Sequence, residues 1–172
     1  DTLILHLAAF AGMQGENMTR GQGWRFLEIG RRMERALGTL SLLRVASESG
    51  DEHSPILDPL LEVCDSVMTY RRRHFSKPRW EEVCHLLFAD VTNPRAVAFQ
   101  ISILKRESVH FPGDPGFGLL PKINEHMDTL DAPFLDAGAQ APEPLDAIGE
   151  SLEELSDLLT QHYFSHAVRR VY

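Results

Sequence analysis

Carboxylates and guanidinium groups crowd one stretch of this chain, with Arg25, Glu28, Arg31, Arg32, Glu34 and Arg35 all falling between positions 25 and 35. A carboxylate can move a proton as a general acid or base. An arginine fork can hold a carboxylate or a phosphate through two parallel hydrogen bonds. At about 100° per residue, Trp24, Glu28, Arg31 and Arg35 share one side of a helix, flanked by Arg25, Arg32 and Glu34. Glu28 then reaches Arg31 and Arg32 at i+3 and i+4, and Arg31 reaches Glu34. Two outcomes are open. The face could be solvated and laced by ion pairs worth about 0.2–0.5 kcal/mol each, or it could be covered by another helix pair or a partner. Trp24 and Leu42 on the same side speak against full solvation.

A second cationic cluster, Tyr70-Arg71-Arg72-Arg73-His74, ends a helical pattern. Cations suit the negative end of a helix dipole, and they could equally take an anion. If successive helices run antiparallel, Arg71, Arg72 and Arg73 approach Arg20, Arg25 and Glu28, making a convergent anion site. Other chemistry finds little footing. His162 and His166 stand four apart, a chelating spacing, but no third ligand is near and the Glu of H-E-x-x-H is missing. The glycine-rich stretch from Gly113 to Gly118 lacks a phosphate-loop pattern, and no nucleophile elbow occurs. Cys64 and Cys84 sit in apolar helical patterns and read as buried free thiols. Neither a metal nor a cofactor is expected.

The elements that must position these groups read as helices. Leu3, Leu7, Phe10 and either Met13 or Gln14 line one side of a helix from about Thr2 to Asn17, and Thr19 could cap the next. From Gly23 to Ser47, Phe26, Ile29, Met33, Leu37 and Leu40 form one apolar stripe. Ser54-Pro55 is a capped start, with Ile56, Leu60, Val63, Val67 and Tyr70 continuing at helical spacing to His74. Trp80 to Ala89 is a short helix. Asn93-Pro94 starts another, with Val97, Ile101 and Leu104 inward. Positions 111–118 and 137–144 read as loops, with Leu119 to about Leu135 helical between them. From Pro144 to about Val171, Ile148, Leu152, Leu155, Leu159 and His162 follow core spacing. No alternating strand pattern occurs. The expectation is an all-α, up-and-down bundle of six or seven helices in a single domain over 1–172.

The 172 residues suffice for a real core, and 43% are hydrophobic. The net charge of −8 is local, with 14 basic and 14 acidic residues through His110 and 3 against 11 from Phe111 onward. That acidic C-terminal part argues against nucleic acid as the main partner. No apolar run reaches the roughly 18–20 residues of a membrane span. The expected location is cytoplasmic. Asp1 opens inside a helical pattern, which reads as a piece of a longer polypeptide.

The segment from Glu16 to Ala36, with Gly30-Arg-Arg-Met-Glu34-Arg35-Ala36 at its end, resembles the alpha-E domain family, an all-helical group named for a Glu-Arg motif. Tyr70 to His74 and Phe88 to Arg95 are also similar, and the likeness runs to about Arg106. The resemblance implies duplicated helical units with such a motif in each half, of which this chain shows the second. It also implies company. Alpha-E domains occur fused to, or encoded beside, circularly permuted ATP-grasp proteins, with transglutaminase-like peptidases and amidohydrolase-type proteins as further neighbours. Its implied partners are therefore an ATP-grasp protein and the missing N-terminal half, with self-association as a further outcome of an uncovered apolar surface. Glu34 and Arg35 carry over as motif positions, not as catalysts.

Three readings follow. The chain is a non-catalytic module that positions a substrate for, or docks onto, an ATP-grasp-type amide or peptide ligase. Alternatively it is an enzyme with Glu28 or Glu34 as acid/base and Arg31, Arg35 or Arg71 to Arg73 holding an anion. In the third reading its charges only lock helix register. Burial discriminates them. A solvent-facing Arg35 favours docking, and a buried, paired one favours architecture. A pocket with unpaired guanidinium groups favours ligand binding.

Overall fold

The computed structural model describes residues 2–49, 51–112 and 143–164. Seven α-helices and no strand occur among them, as the all-helical reading expects. They are α1 (Thr2–Asn17), α2 (Gln22–Ser47), α3 (Leu57–Val63), α4 (Val67–Arg73), α5 (Trp80–Cys84), α6 (Val97–Ser108) and α7 (Glu143–Leu159). α5 and α7 each run on into a π-helical turn, His85–Ala89 and Thr160–Phe164. The helix expected at 119–135 and the part of the second expected loop at 137–142 lie outside the described residues, as do His166 and the glycine-rich stretch from Gly113 to Gly118.

α2 is the axis, and its longest contacts are with α6 and α7. Along α2 the α6 partners descend in number: Gln22 meets His110, Arg25 meets Glu107 and Arg32 meets Gln100, while Thr39 meets Arg95 just ahead of α6. α7 does the same, from Phe26 against Tyr163 to Arg44 near Asp146. Both neighbours are therefore antiparallel to α2, the up-and-down arrangement that the sequence suggests.

The apolar stripe packs as its spacing dictates. Ile29, Met33 and Leu40 are buried, and Phe26 and Leu37 pack against the same core. Val97, Ile101 and Leu104 of α6 join them. On α7 the buried residues are Leu145, Ile148, Leu152, Leu155 and Leu159, alternating three and four apart. That spacing gives a straight seam of the coiled-coil kind. Each such side chain contributes about 1.5–3 kcal/mol on burial. One end of the bundle is closed by rings. Phe26 stacks on Phe111 and meets Tyr163 and Phe164, while the Tyr163 hydroxyl donates to the Pro112 carbonyl at 2.9 Å.

The continuous helix expected from Ile56 to His74 is broken in two. α3 ends in a left-handed residue, Asp65, with φ of 48°. The Asp65 N–H bonds to the Glu62 carbonyl and the Ser66 N–H to the Leu61 carbonyl, the paired bonds of a Schellman cap. Asp tolerates this conformation better than most residues, so no glycine announces the stop. In the last turn before the break Val63, expected inside, is 70% exposed, while Leu60 and Tyr70 are buried.

The start signals act locally. Ser54 Oγ accepts from the Ile56 N–H at 3.5 Å, and Asn93 Oδ1 accepts from the Arg95 N–H at 3.1 Å. Asn93 is buried, and its amide donates to the Leu86 carbonyl and to Ser66 Oγ, tying the π turn to the α3–α4 corner. Thr19 caps nothing, because α2 starts at Gln22 behind Gly21 with no side-chain cap.

α1 departs most from expectation. Every residue from Thr2 to Phe10 is exposed, and Leu3, Ile4, Leu5, Leu7, Phe10 and Met13 are each between 59% and 68% exposed. The helix is tethered by Arg20, which donates to the Gly15 carbonyl at 2.6 Å, and by Arg31, which donates to Gln14 Oε1 at 2.6 Å.

The α3 stop gives a direct stability test. Asp65→Gly keeps the left-handed cap and should leave the urea midpoint unchanged or raised. Asp65→Val forces a branched side chain into that region and should cost about 1–2 kcal/mol. Equal midpoints for the two variants would remove the cap argument.

Candidate functional site

Glu28 does not lie on an open face. α6 covers that side of α2, and Glu28 is only 6% exposed. Its carboxylate accepts from Arg32 Nε at 2.7 Å and from Nη2 as well, and Arg31 Nη1 lies 3.6 Å away. Arg32 Nη1 donates to Gln100 Oε1 at 3.1 Å, and Gln100 in turn donates Nε2 to the Pro94 carbonyl at 2.6 Å. The Arg32 guanidinium also lies 5.8 Å over the Phe99 ring. A buried carboxylate so fully engaged is a structural ion pair, since removing either partner strands a desolvated charge.

Arg25 is also engaged. It donates to Glu107 at 2.7 Å, and Glu107, 5% exposed, takes Arg106 Nε at 3.0 Å as well. Arg31 is shared between Glu28 and Gln14 of α1. Trp24 carries the Arg20 guanidinium 4.6 Å from its ring.

Glu34 and Arg35 are different. Both are exposed, and neither makes a hydrogen bond or an ion pair among the described residues. Arg35 lines a cavity of about 310 Å³ whose wall also includes Thr39, Cys64, Asp65 and Arg95. Partial burial pulls the Arg35 guanidinium below its ordinary range, and the charges of Arg32, Arg95 and Arg31 add to this against Glu28 alone. It remains a cation at neutral pH. Arg95 donates to Asp65 at 2.7 Å, an exposed pair.

The second cluster does not converge on the first. Arg71 and Arg72 are exposed. Arg73 donates to the Asp90 carboxylate and, at 3.3 Å, to Thr92 Oγ1. Burial pushes the Asp90 carboxyl up, but hydrogen bonds from the Thr92 hydroxyl and N–H and the Arg73 cation outweigh it and hold the group below the usual carboxylate range. The expected meeting of Arg71 to Arg73 with Arg25 and Glu28 fails because α2 packs mainly on α6 and α7, which supply its partners.

Sequence reasoning missed a network around Tyr70. Its hydroxyl donates to the Glu82 carboxylate and accepts from the Arg79 N–H at 3.2 Å. His74 stacks on the Tyr70 ring at 4.8 Å and lies 3.4 Å from Glu82. Burial, then the bond to Glu82, raises the Tyr70 phenol above its ordinary range. Glu82 belongs to a different helix, so no spacing rule could pair it with Tyr70. Cys64 and Cys84 are buried free thiols, as expected. Burial raises both, Cys84 to about 11, which keeps the thiolate unpopulated. Among the described residues no group of three or more His, Cys, Asp or Glu could hold a metal ion. No helix there is long and apolar enough to cross a membrane.

Fold and site thus define a helical bundle domain whose central helix displays a free Glu-Arg pair. Residues 1–164 match the family model Alpha-E, described as a predicted alpha-helical domain with a conserved ER motif. The chain belongs to the Alpha-E family. Glu34-Arg35 is the one Glu-Arg dipeptide in the sequence. The match extends past Phe111, where sequence reading saw only a helical pattern. The chain is similar to uncharacterised proteins of Mycobacterium bovis and of two strains of Mycobacterium tuberculosis. Each is 30% identical over 168 residues, with 90% of this chain and 19% of the relative covered. The chain therefore spans about a fifth of the length of these relatives. No solved structure matches it.

Two measurements check the electrostatics. A double-mutant cycle on Glu28→Gln and Arg32→Gln should give a coupling above about 1 kcal/mol, whereas Arg44 and Asp146, both more than half exposed and 3.9 Å apart, should couple near zero. Equal couplings would refute the burial argument. Asp90 has a folded pKa below its unfolded value, so its contribution is present above about pH 3.9 and fades as pH falls through the folded value. Asp90→Asn should flatten the acid limb of the stability curve, which urea titrations between pH 2 and 5 would show.

Proposed function

We propose that this chain is a non-catalytic helical module that docks onto other helical units through α1 and serves an ATP-grasp-type amide or peptide ligase system as a partner or substrate-positioning domain. The observation that carries the docking role is α1 itself. Leu3, Leu7 and Phe10 share one side, while Ile4, Leu5 and Met13 point elsewhere around the axis, and all are exposed. A helix apolar on every side is stable when buried, not when it lies on a surface. Its natural occupant is a groove between helices, which the second helical unit implied by the alpha-E resemblance would supply. The ligase setting rests on that same resemblance.

The charged face supports a division of labour. Glu28 with Arg32 is paired and buried, which favours the architectural reading for that part. Glu28 is therefore a poor acid/base candidate, because its lone pairs are committed. Arg35 faces solvent, which favours docking or binding for the motif itself.

The test is capture of the 172-residue chain on the immobilised cognate ATP-grasp protein and, separately, on the companion helical unit. Wild type should be retained. Leu7→Lys with Phe10→Lys should weaken retention at least about tenfold, since each buried apolar side chain contributes about 1.5–3 kcal/mol. Retention by the helical unit alone would keep α1 docking and remove the ligase assignment. Loss of both would remove the proposal, and a dimer by light scattering that the α1 variant abolishes would reassign the surface to self-association.

A further inference from the structure

We infer that the cavity between Arg35 and Arg95 is a binding site for a carboxylate carried on a short aliphatic stem, with Asp65 as a built-in competitor for it. It rests on the cavity's own residues and not on the role proposed for α1.

The charge count on the cavity rim comes first. Arg35 and Arg95 line the cavity, Arg31 and Arg32 act on Arg35 from beside it, and the carboxylates near them are Glu28 and Asp65. Glu28 is committed to Arg32 and Arg31, and Asp65 to Arg95. Arg35 is left as a permanent cation with no counter-ion, opening on about 310 Å³ of space. α6 starts two residues after Arg95, which adds the positive end of its dipole on that side.

The shape of the site selects among anions. Asp65 on Arg95 at 2.7 Å shows that this guanidinium already accepts a carboxylate from the cavity side. That pair is exposed, with Arg95 at 42% and Asp65 at 79%, so an incoming carboxylate displaces little. The lining also includes Leu42, Val63 and the buried Cys64, whose thiol burial keeps protonated and uncharged. An aliphatic stem has apolar contacts there, whereas a free phosphate would leave them unused and its third oxygen without a donor. The thiol's neutrality also keeps a second negative charge out of the cavity.

Two side chains make the inference testable with a sign. Arg35 is exposed and makes no hydrogen bond or ion pair among the described residues, so its replacement should spare the bundle. Asp65→Asn keeps a residue suited to the left-handed cap and removes the competing charge. Side-chain Nε–Hε resonances of the 15N-labelled 172-residue chain would be followed during titration with glutarate, inorganic phosphate and chloride at constant ionic strength. Glutarate should produce saturable shifts at Arg35 and Arg95, with phosphate several-fold weaker and chloride inert. Arg35→Lys, which keeps the charge but loses the fork, should weaken glutarate roughly tenfold. Asp65→Asn should tighten it about threefold, the worth of releasing one exposed ion pair. Shifts that do not saturate, or that saturate equally in Arg35→Lys, would overturn the site. Phosphate binding tighter than glutarate would overturn the carboxylate assignment, and unchanged affinity in Asp65→Asn would overturn the role given to Asp65.

Discussion

α2 must satisfy two antiparallel neighbours at once, and the rest of the bundle follows from that requirement. A helix flanked on one side needs a single apolar stripe. A helix flanked on two sides needs burial over a wider arc, and here the arc reaches Glu28. A lone carboxylate there would be prohibitive, because desolvating an ion without a partner costs several kcal/mol. Arg32 stands one turn on, where i+4 geometry brings it to Glu28. Gln100 of α6 then accepts from Arg32 and is itself satisfied by the Pro94 carbonyl. Among the described residues no buried side-chain N or O atom is left without a partner. The polar chain thus fixes the register of α6 on α2, and Ala36, fully buried, lets the helices approach closely.

Position on the helix decides what each charge does. Arg25 and Arg32 meet acceptors on α6, and Arg31 meets Gln14 on α1. Arg35 stands on the same helix and meets none. It lies where α6 gives way to the turn at Pro94 and Arg95, so it looks across a cavity instead of into a helix. A guanidinium at that place, pressed by three others, raises the local potential. The Glu-Arg pair that gives the family its motif is thus the part of the charged stretch left free of structural partners.

Much of this was legible in the sequence, and the failures have physical causes. The stripe from Phe26 to Leu40 and the heptad-like spacing on α7 are set by helical periodicity, which local reading captures. The break at Asp65 was missed because a Schellman stop with Asp at the left-handed position carries no glycine. Periodicity leaves open whether the Glu28 face is solvated or covered, because it tells which residues share a side, not how many neighbours a helix has. The Tyr70–Glu82 bond and the Arg25–Glu107 pair join residues 12 and 82 positions apart, and no spacing rule relates them. Arg35 was singled out correctly as a member of the charged side, but its lack of a partner is a property of the packing alone.

Arg31 joins the two surfaces that the fold leaves open. One of its nitrogens bonds to Gln14 of α1, another lies near Glu28, and its charge bears on Arg35. Arg20 holds the same end of α1, donating to the Gly15 carbonyl. Whatever groove receives the apolar helix must therefore either preserve the Gln14 contact or release Arg31. Release would leave Glu28 with Arg32 as its close partner and free a second guanidinium one turn before Arg35. Because partly buried charges are screened less than exposed ones, that change would reach the cavity as a higher positive potential. Under the two proposals, docking at α1 and anion capture at Arg35 are linked through Arg31, which does not line the cavity, and the link runs along a single turn of α2.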